Sequence, residues 1–102
     1  MLETFTHATF APLLGQTFHC QVSPAAKVDM HLIAAHLLTA DTTSQEQAQR
    51  RLPFSLLFRG PAGLVLPQRI YTLSHATLGT FALFLVPIGP DAEGMRYEAI
   101  FT

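Results

Sequence analysis

The chain has 102 residues, a formal net charge of −1, 49% hydrophobic residues and only 13% charged ones. That length holds one domain, 1–102, with a core of its own, and so little charge leaves no field to attract nucleic acid or an anionic membrane. One cysteine, Cys20, excludes an intramolecular disulfide and with it a disulfide-stapled secreted scaffold.

The opening MLETFTHATFAPLLGQ has no basic start and no unbroken apolar stretch of the signal-peptide kind. The longest apolar run, FALFLVPIG, is broken by Pro87 and is far shorter than a membrane-spanning helix. The expectation is a cytoplasmic protein. Residues 6–14 predict a short helix: Thr6 suits the N-cap, Phe5 and Phe10 stand where a hydrophobic staple needs them, and Gly15 suits the left-handed residue beyond the end. Phe10, Leu13 and Leu14 would share the docked face, with Pro12 limiting the helix to two turns.

Residues 17–22 alternate, Phe18, Cys20 and Val22 on one side and Thr17, His19 and Gln21 on the other. After a turn at SPAAK, residues 28–38 predict a longer strand with Val28, Met30 and Leu32 inward. Pairing Val22 with Val28 sets His19 opposite His31 and Cys20 opposite Met30. A bulge near Ala34–Ala35 is expected to turn His36 outward. The polar stretch 40–51 reads as a surface loop. Four further strands follow, near 53–59, 69–74, 79–88 and 95–102, separated by corners rich in glycine and proline. The predicted fold is mainly β: a six-stranded antiparallel meander forming a small barrel or sandwich, with one short N-terminal helix.

Histidine is the main chemical resource. His19 and His31, opposed in the expected register, could share a metal with Asp29 as a third ligand, but zinc sites need a fuller set than this. Cys20 points away from its neighbour His19 and reads as a buried small hydrophobe. The carboxylates are scattered, PDAEG lacks the ligands of a calcium loop, and the Gly-Pro corners lack the backbone donors of a phosphate loop. The expectation is no enzyme, no catalytic residues, no cofactor and no metal.

The pieces FRGP, LPQ followed by Tyr71, His75 with Leu78-Gly79, LFLVPIGP and the closing MRYEAIF resemble a family of short bacterial proteins known only as a domain of unknown function. The resemblance covers nearly the whole chain, with Arg69 where a glycine is expected. It assigns no activity and no site residues. It implies a setting beside phage-tail or tail-collar-like proteins.

Two readings of function follow. In the first, surplus apolar residues on the outward side of the strands, Leu57, Phe84, Val86 and Ile100, meet a partner: the chain is a structural or interaction module, a homo-oligomer or an accessory of a larger protein. In the alternative, Phe54, Phe58, Tyr71, Phe81, Tyr97 and Phe101 surround a cavity for a small apolar ligand.

Overall fold

A computed structural model describes residues 4–38 and 52–102; the expected loop 40–51 lies outside the described residues. Six strands, β1 (Thr17–Ser23), β2 (Ala26–Leu37), β3 (Phe54–Arg59), β4 (Arg69–His75), β5 (Gly79–Pro90) and β6 (Met95–Phe101), form a closed antiparallel barrel. A short helix, α1 (His7–Phe10), and a 3₁₀ turn (Ala11–Leu13) precede them. Strand count, pairing sense and closure agree with the sequence reading.

The order around the barrel does not. It runs β1-β2-β3-β6-β5-β4, so the chain makes two three-stranded meanders where one continuous meander is expected. The cause is the segment 60–68. Gly60 N–H donates to Met95 O at 2.8 Å, and Leu66 N–H donates to the Tyr97 hydroxyl at 2.9 Å, so the segment runs across the start of β6. It thereby closes that end of the barrel, inserts Leu66 into the core and delivers β4 to the edge of β1.

The β1–β2 register differs from the expected one by two residues. Phe18 faces Met30, Cys20 faces Val28, and His19 faces Asp29, not His31. A tight two-residue turn at Pro24–Ala25 with an irregularity near Val22 shortens the hairpin. A shift of two preserves which side every residue faces, so hydrophobic alternation cannot detect it. In β2 the bulge falls at Ile33, between Leu32 and Ala34. Beyond it Ala35 packs on the core and His36 is exposed, as the bulge expectation requires.

Phenylalanine fills the barrel. Phe10 of α1 is fully buried in the mouth formed by the starts of β1, β3 and β5 and the end of β6, with its ring 5.7–6.4 Å from those of Phe18, Phe54, Phe81 and Phe101. Phe5 completes the staple edge-on to Phe10 at 5.4 Å. Thr6 is the N-cap, and its N–H donates to Thr9 Oγ1 at 2.9 Å. The helix is shorter than expected because Pro12 tightens the chain into a 3₁₀ turn. Leu14 therefore lies past the helix and is exposed, while Gly15 takes the left-handed conformation. One end of the barrel is stopped by Phe10, the other by the crossing segment.

Candidate functional site

Alternation places Ile70, Thr72 and Ser74 on the outside of β4, and Thr80, Ala82, Phe84 and Val86 on the outside of β5. None of these side chains is ionisable. Most of the charges sit elsewhere: His19, Lys27, Asp29, His31, His36 and Arg59 on β1–β3, and Arg96 and Glu98 on β6, with Arg69 exposed at the start of β4. The barrel wall is thus two-sided. One half carries most of the charge, and the other, Arg69 apart, exposes neutral and apolar side chains.

The apolar half has relief. Ile70 pairs in register with Phe84, and the β5–β6 pairing runs from Val86↔Glu98 to Pro90↔Met95. Above Val86 a shallow groove of about 370 Å³ lies between β5 and β6, lined by Ile70, Ala82, Phe84 and Ile100 among others. Ile70 is 64% exposed, Ile100 57% and Phe84 47%. Exposure of that order on three large apolar side chains around one groove is what protein-contact surfaces display. Of the expected contact residues, Phe84 and Ile100 line this groove. Leu57 and Val86 are half-buried, and they flank Glu98 in the row Leu57–Glu98–Val86 across β3, β6 and β5. Ile70 is absent from the sequence reading, although its place one residue before inward Tyr71 marks it as outward.

The histidine–carboxylate candidates separate into different contacts. His19 Nδ1 and Asp29 Oδ1 lie 2.7 Å apart on the open outer face, with side chains 51% and 66% exposed. His31 faces Thr17 across β1 and Arg59 across β3. Among the described residues no group of three or more His, Cys, Asp or Glu side chains could hold a metal ion. Register also sets Ser74 of β4 opposite His19, so Asp29, His19 and Ser74 form a row across three strands. That row has the residue types of an acyl-transfer triad, but it lies on an outward barrel wall where water is not excluded, which is a poor setting for such chemistry.

The remaining polar groups brace the fold. Arg59 donates from Nε to Asp91 Oδ2 at 2.8 Å, and its Nη1 stands 3.0 Å from Glu93 Oε2. Asp91 Oδ1 also accepts the N–H groups of Glu93 and Gly94. The Arg59 hydrogen bond, followed by the backbone N–H of Glu93, holds the Asp91 carboxyl down to about 2. His75 is buried. It accepts Thr77 N–H on Nδ1 at 3.1 Å, donates from Nε2 to Gln16 Oε1 at 2.7 Å, and lies 4.5 Å from the Phe18 ring. His7 Nε2 donates to Ala35 O at 3.0 Å, tying α1 to β2. Burial pushes the Cys20 thiol up to about 11, against a smaller opposing effect of Arg69, so it is a poor nucleophile at neutral pH.

The six aromatic residues of the ligand-cavity reading are all buried. Phe54 stacks on Phe101 at 4.5 Å, and Phe58 meets Phe18 edge-on at 5.3 Å. Tyr97 and Tyr71 turn their hydroxyls to the segment 60–68, Tyr97 donating to Leu64 O and Tyr71 to Pro67 O. These side chains serve as packing and as end closure. None of the described helices is long and apolar enough to cross a membrane.

A family described as a domain of unknown function (DUF6916) matches residues 5–101. No curated protein and no solved structure matches the chain.

Proposed function

We propose, for a chain that belongs to the DUF6916 family of unknown function, a contact role: it is a small β-barrel interaction module whose working surface is the outer face of β4 and β5 with the end of β6. The observation that carries this reading is the groove edged by exposed Ile70, Phe84 and Ile100, whose lining holds no ionisable side chain. The occupant is a further copy of the chain or a larger protein. A place beside tail-like assembly proteins has the sequence resemblance as its only support. The aromatic packing inside the barrel gives the ligand-cavity reading no comparable footing.

Photo-crosslinking in cells tests the role. A photoreactive phenylalanine analogue is placed at Phe84, and separately at His31 on the charged half. The expected result is a discrete crosslinked protein product from position 84 and none from position 31. Products from position 31 alone, or from neither position, would sink the proposal.

A further inference from the structure

We infer that His75 is a proton-operated latch: a proton taken up at its Nδ1 releases the β4–β5 turn (76–78) and Gln16, and so loosens the mouth that Phe10 plugs. The inference does not depend on the contact reading above.

Geometry fixes both the charge and the tautomer of this buried ring. Thr77 N–H at 3.1 Å and Leu78 N–H at 3.4 Å are both aimed at Nδ1, and the Thr77 hydroxyl stands 3.2 Å from it. A backbone N–H can only donate, so Nδ1 is an acceptor, and the proton of a neutral ring then sits on Nε2. There it meets Gln16 Oε1 at 2.7 Å, the acceptor this tautomer requires.

A second proton has one place to go, Nδ1, where it faces the two N–H groups. Donor then meets donor. A Thr77 hydroxyl turned to accept it still leaves both backbone N–H groups without their partner. Among the described residues no charge faces the ring to offset this. β1 presents Phe18 and, further along, Cys20, a thiol that burial pushes up to about 11 and keeps neutral. β5 sets Gly79 opposite, and the segment before β1 gives Gln16. His19 stands on the outer face with Asp29, and His7 of α1 is turned to Ala35 O. A ring freed from the clamp titrates as an ordinary histidine does, near ~6.5. The open form therefore binds one proton more than the closed form, and opening gains as pH falls.

Gln16 is where the latch reaches the plug. Its N–H donates to Leu13 O and its carbonyl accepts Leu32 N–H, so it ends the segment that carries Phe10 and seats it on β2. Phe18, against the His75 ring, and Phe81, just beyond the turn, each lie 6.4 Å from Phe10. Leu78 of the turn packs on the same core. One ring thus holds together the turn, the plug segment and the aromatic mouth.

Amide hydrogen exchange read by NMR at about pH 7.5 and about pH 5.5, corrected for the intrinsic pH dependence of exchange, tests the inference. Protection of the Thr77 and Leu78 amides is expected to fall about tenfold over that interval, as one proton gained near ~6.5 requires. Amides bridging β3 and β6 should keep theirs. His75→Asn retains an acceptor for the turn but does not titrate, so its protection there should not change with pH. Nitrogen chemical shifts of the wild-type ring should place its proton on Nε2 at the higher pH. Wild-type protection at Thr77 and Leu78 that does not change overturns the inference, as does an equal fall in His75→Asn. A simultaneous loss across β3 and β6, or a ring protonated on Nδ1 at about pH 7.5, overturns it as well.

Discussion

At the residue scale, the best-defined polar device is the Arg59–Asp91 clasp, which ties the end of β3 to the β5–β6 corner. Asp91 has a folded value of about 2, below the ordinary 3.8, so the folded state prefers its charged form. Its contribution is therefore fully present above about pH 4 and is lost as pH falls toward about 2. Asp91→Asn keeps an oxygen for the N–H groups of Glu93 and Gly94 but loses the charge opposite Arg59. Wild type should melt above this variant near neutral pH, with the gap closing as pH falls through that window; a gap independent of pH would count against the clasp. His75 is the second device, joining the β4–β5 turn to Gln16. Replacing it with Phe keeps a ring against Phe18 but leaves the Gln16 side-chain oxygen and two turn N–H groups without their partner, at a cost of about 0.5–1.5 kcal/mol in urea unfolding. The sequence shows His75 only as a motif residue beside Leu78-Gly79, and the structure puts it at the end of β4, just before the turn. Nor could the sequence pair Arg59 with Asp91, since residues 32 apart meet only through the strand order. The His19–Asp29 contact escaped for a subtler reason: registers two residues apart bury the same side chains.

At the element scale, α1 is too short to be stable alone and owes its existence to what it inserts. Phe10 is the stopper, and its truncation leaves a cavity ringed by five other phenylalanines that the closed ladder cannot easily collapse to fill. Phe10→Ala should cost about 3–5 kcal/mol, measured by chemical denaturation. A loss below about 1 kcal/mol would mean that the helix merely rests on the barrel. At the opposite end, Tyr97 holds the crossing segment through one hydroxyl that accepts from Leu66 and donates to Leu64. Close approach matters here too. A Cβ at Gly94 would run into the backbone carbonyl of Gly60, so Gly94→Ala must push the β5–β6 corner away from β3. Helix cap, staple and terminating glycine were legible because each is a local signal. The role of segment 60–68 was not, because its glycines and prolines announce a corner without saying how far the chain travels before pairing again.

At the scale of the whole molecule, the barrel is two meanders joined through the β3–β6 and β1–β4 seams, and these seams are unequal. Pairing of β3 with β6 extends from Phe54↔Phe101 to Arg59↔Arg96, whereas β1 meets β4 only from His19↔Ser74 to Gln21↔Thr72. Where the second ladder stops, the Arg69 guanidinium donates to Val22 O at 3.2 Å and lies 4.8 Å from the centre of the Tyr71 ring. A side chain thus extends the closure that backbone pairing leaves unfinished, at the position where the sequence resemblance leads one to expect glycine. Six antiparallel strands and their inward faces could be read from alternation; which strand closes the barrel could not, because every outer strand offers the same hydrogen-bonding edge. Local opening should begin at the thinner seam. In native-state hydrogen exchange, amides of residues 19–21 and 72–74 that bridge β1 and β4 are expected to exchange by sub-global opening, ahead of those bridging β3 and β6. Arg69→Gly should lower protection at that seam by about 0.5–1 kcal/mol, the worth of an exposed cation–π contact, while leaving the β3–β6 amides unchanged. Equal protection at both seams, or an Arg69→Gly effect spread evenly over all six strands, would mean that the barrel opens only as a single unit.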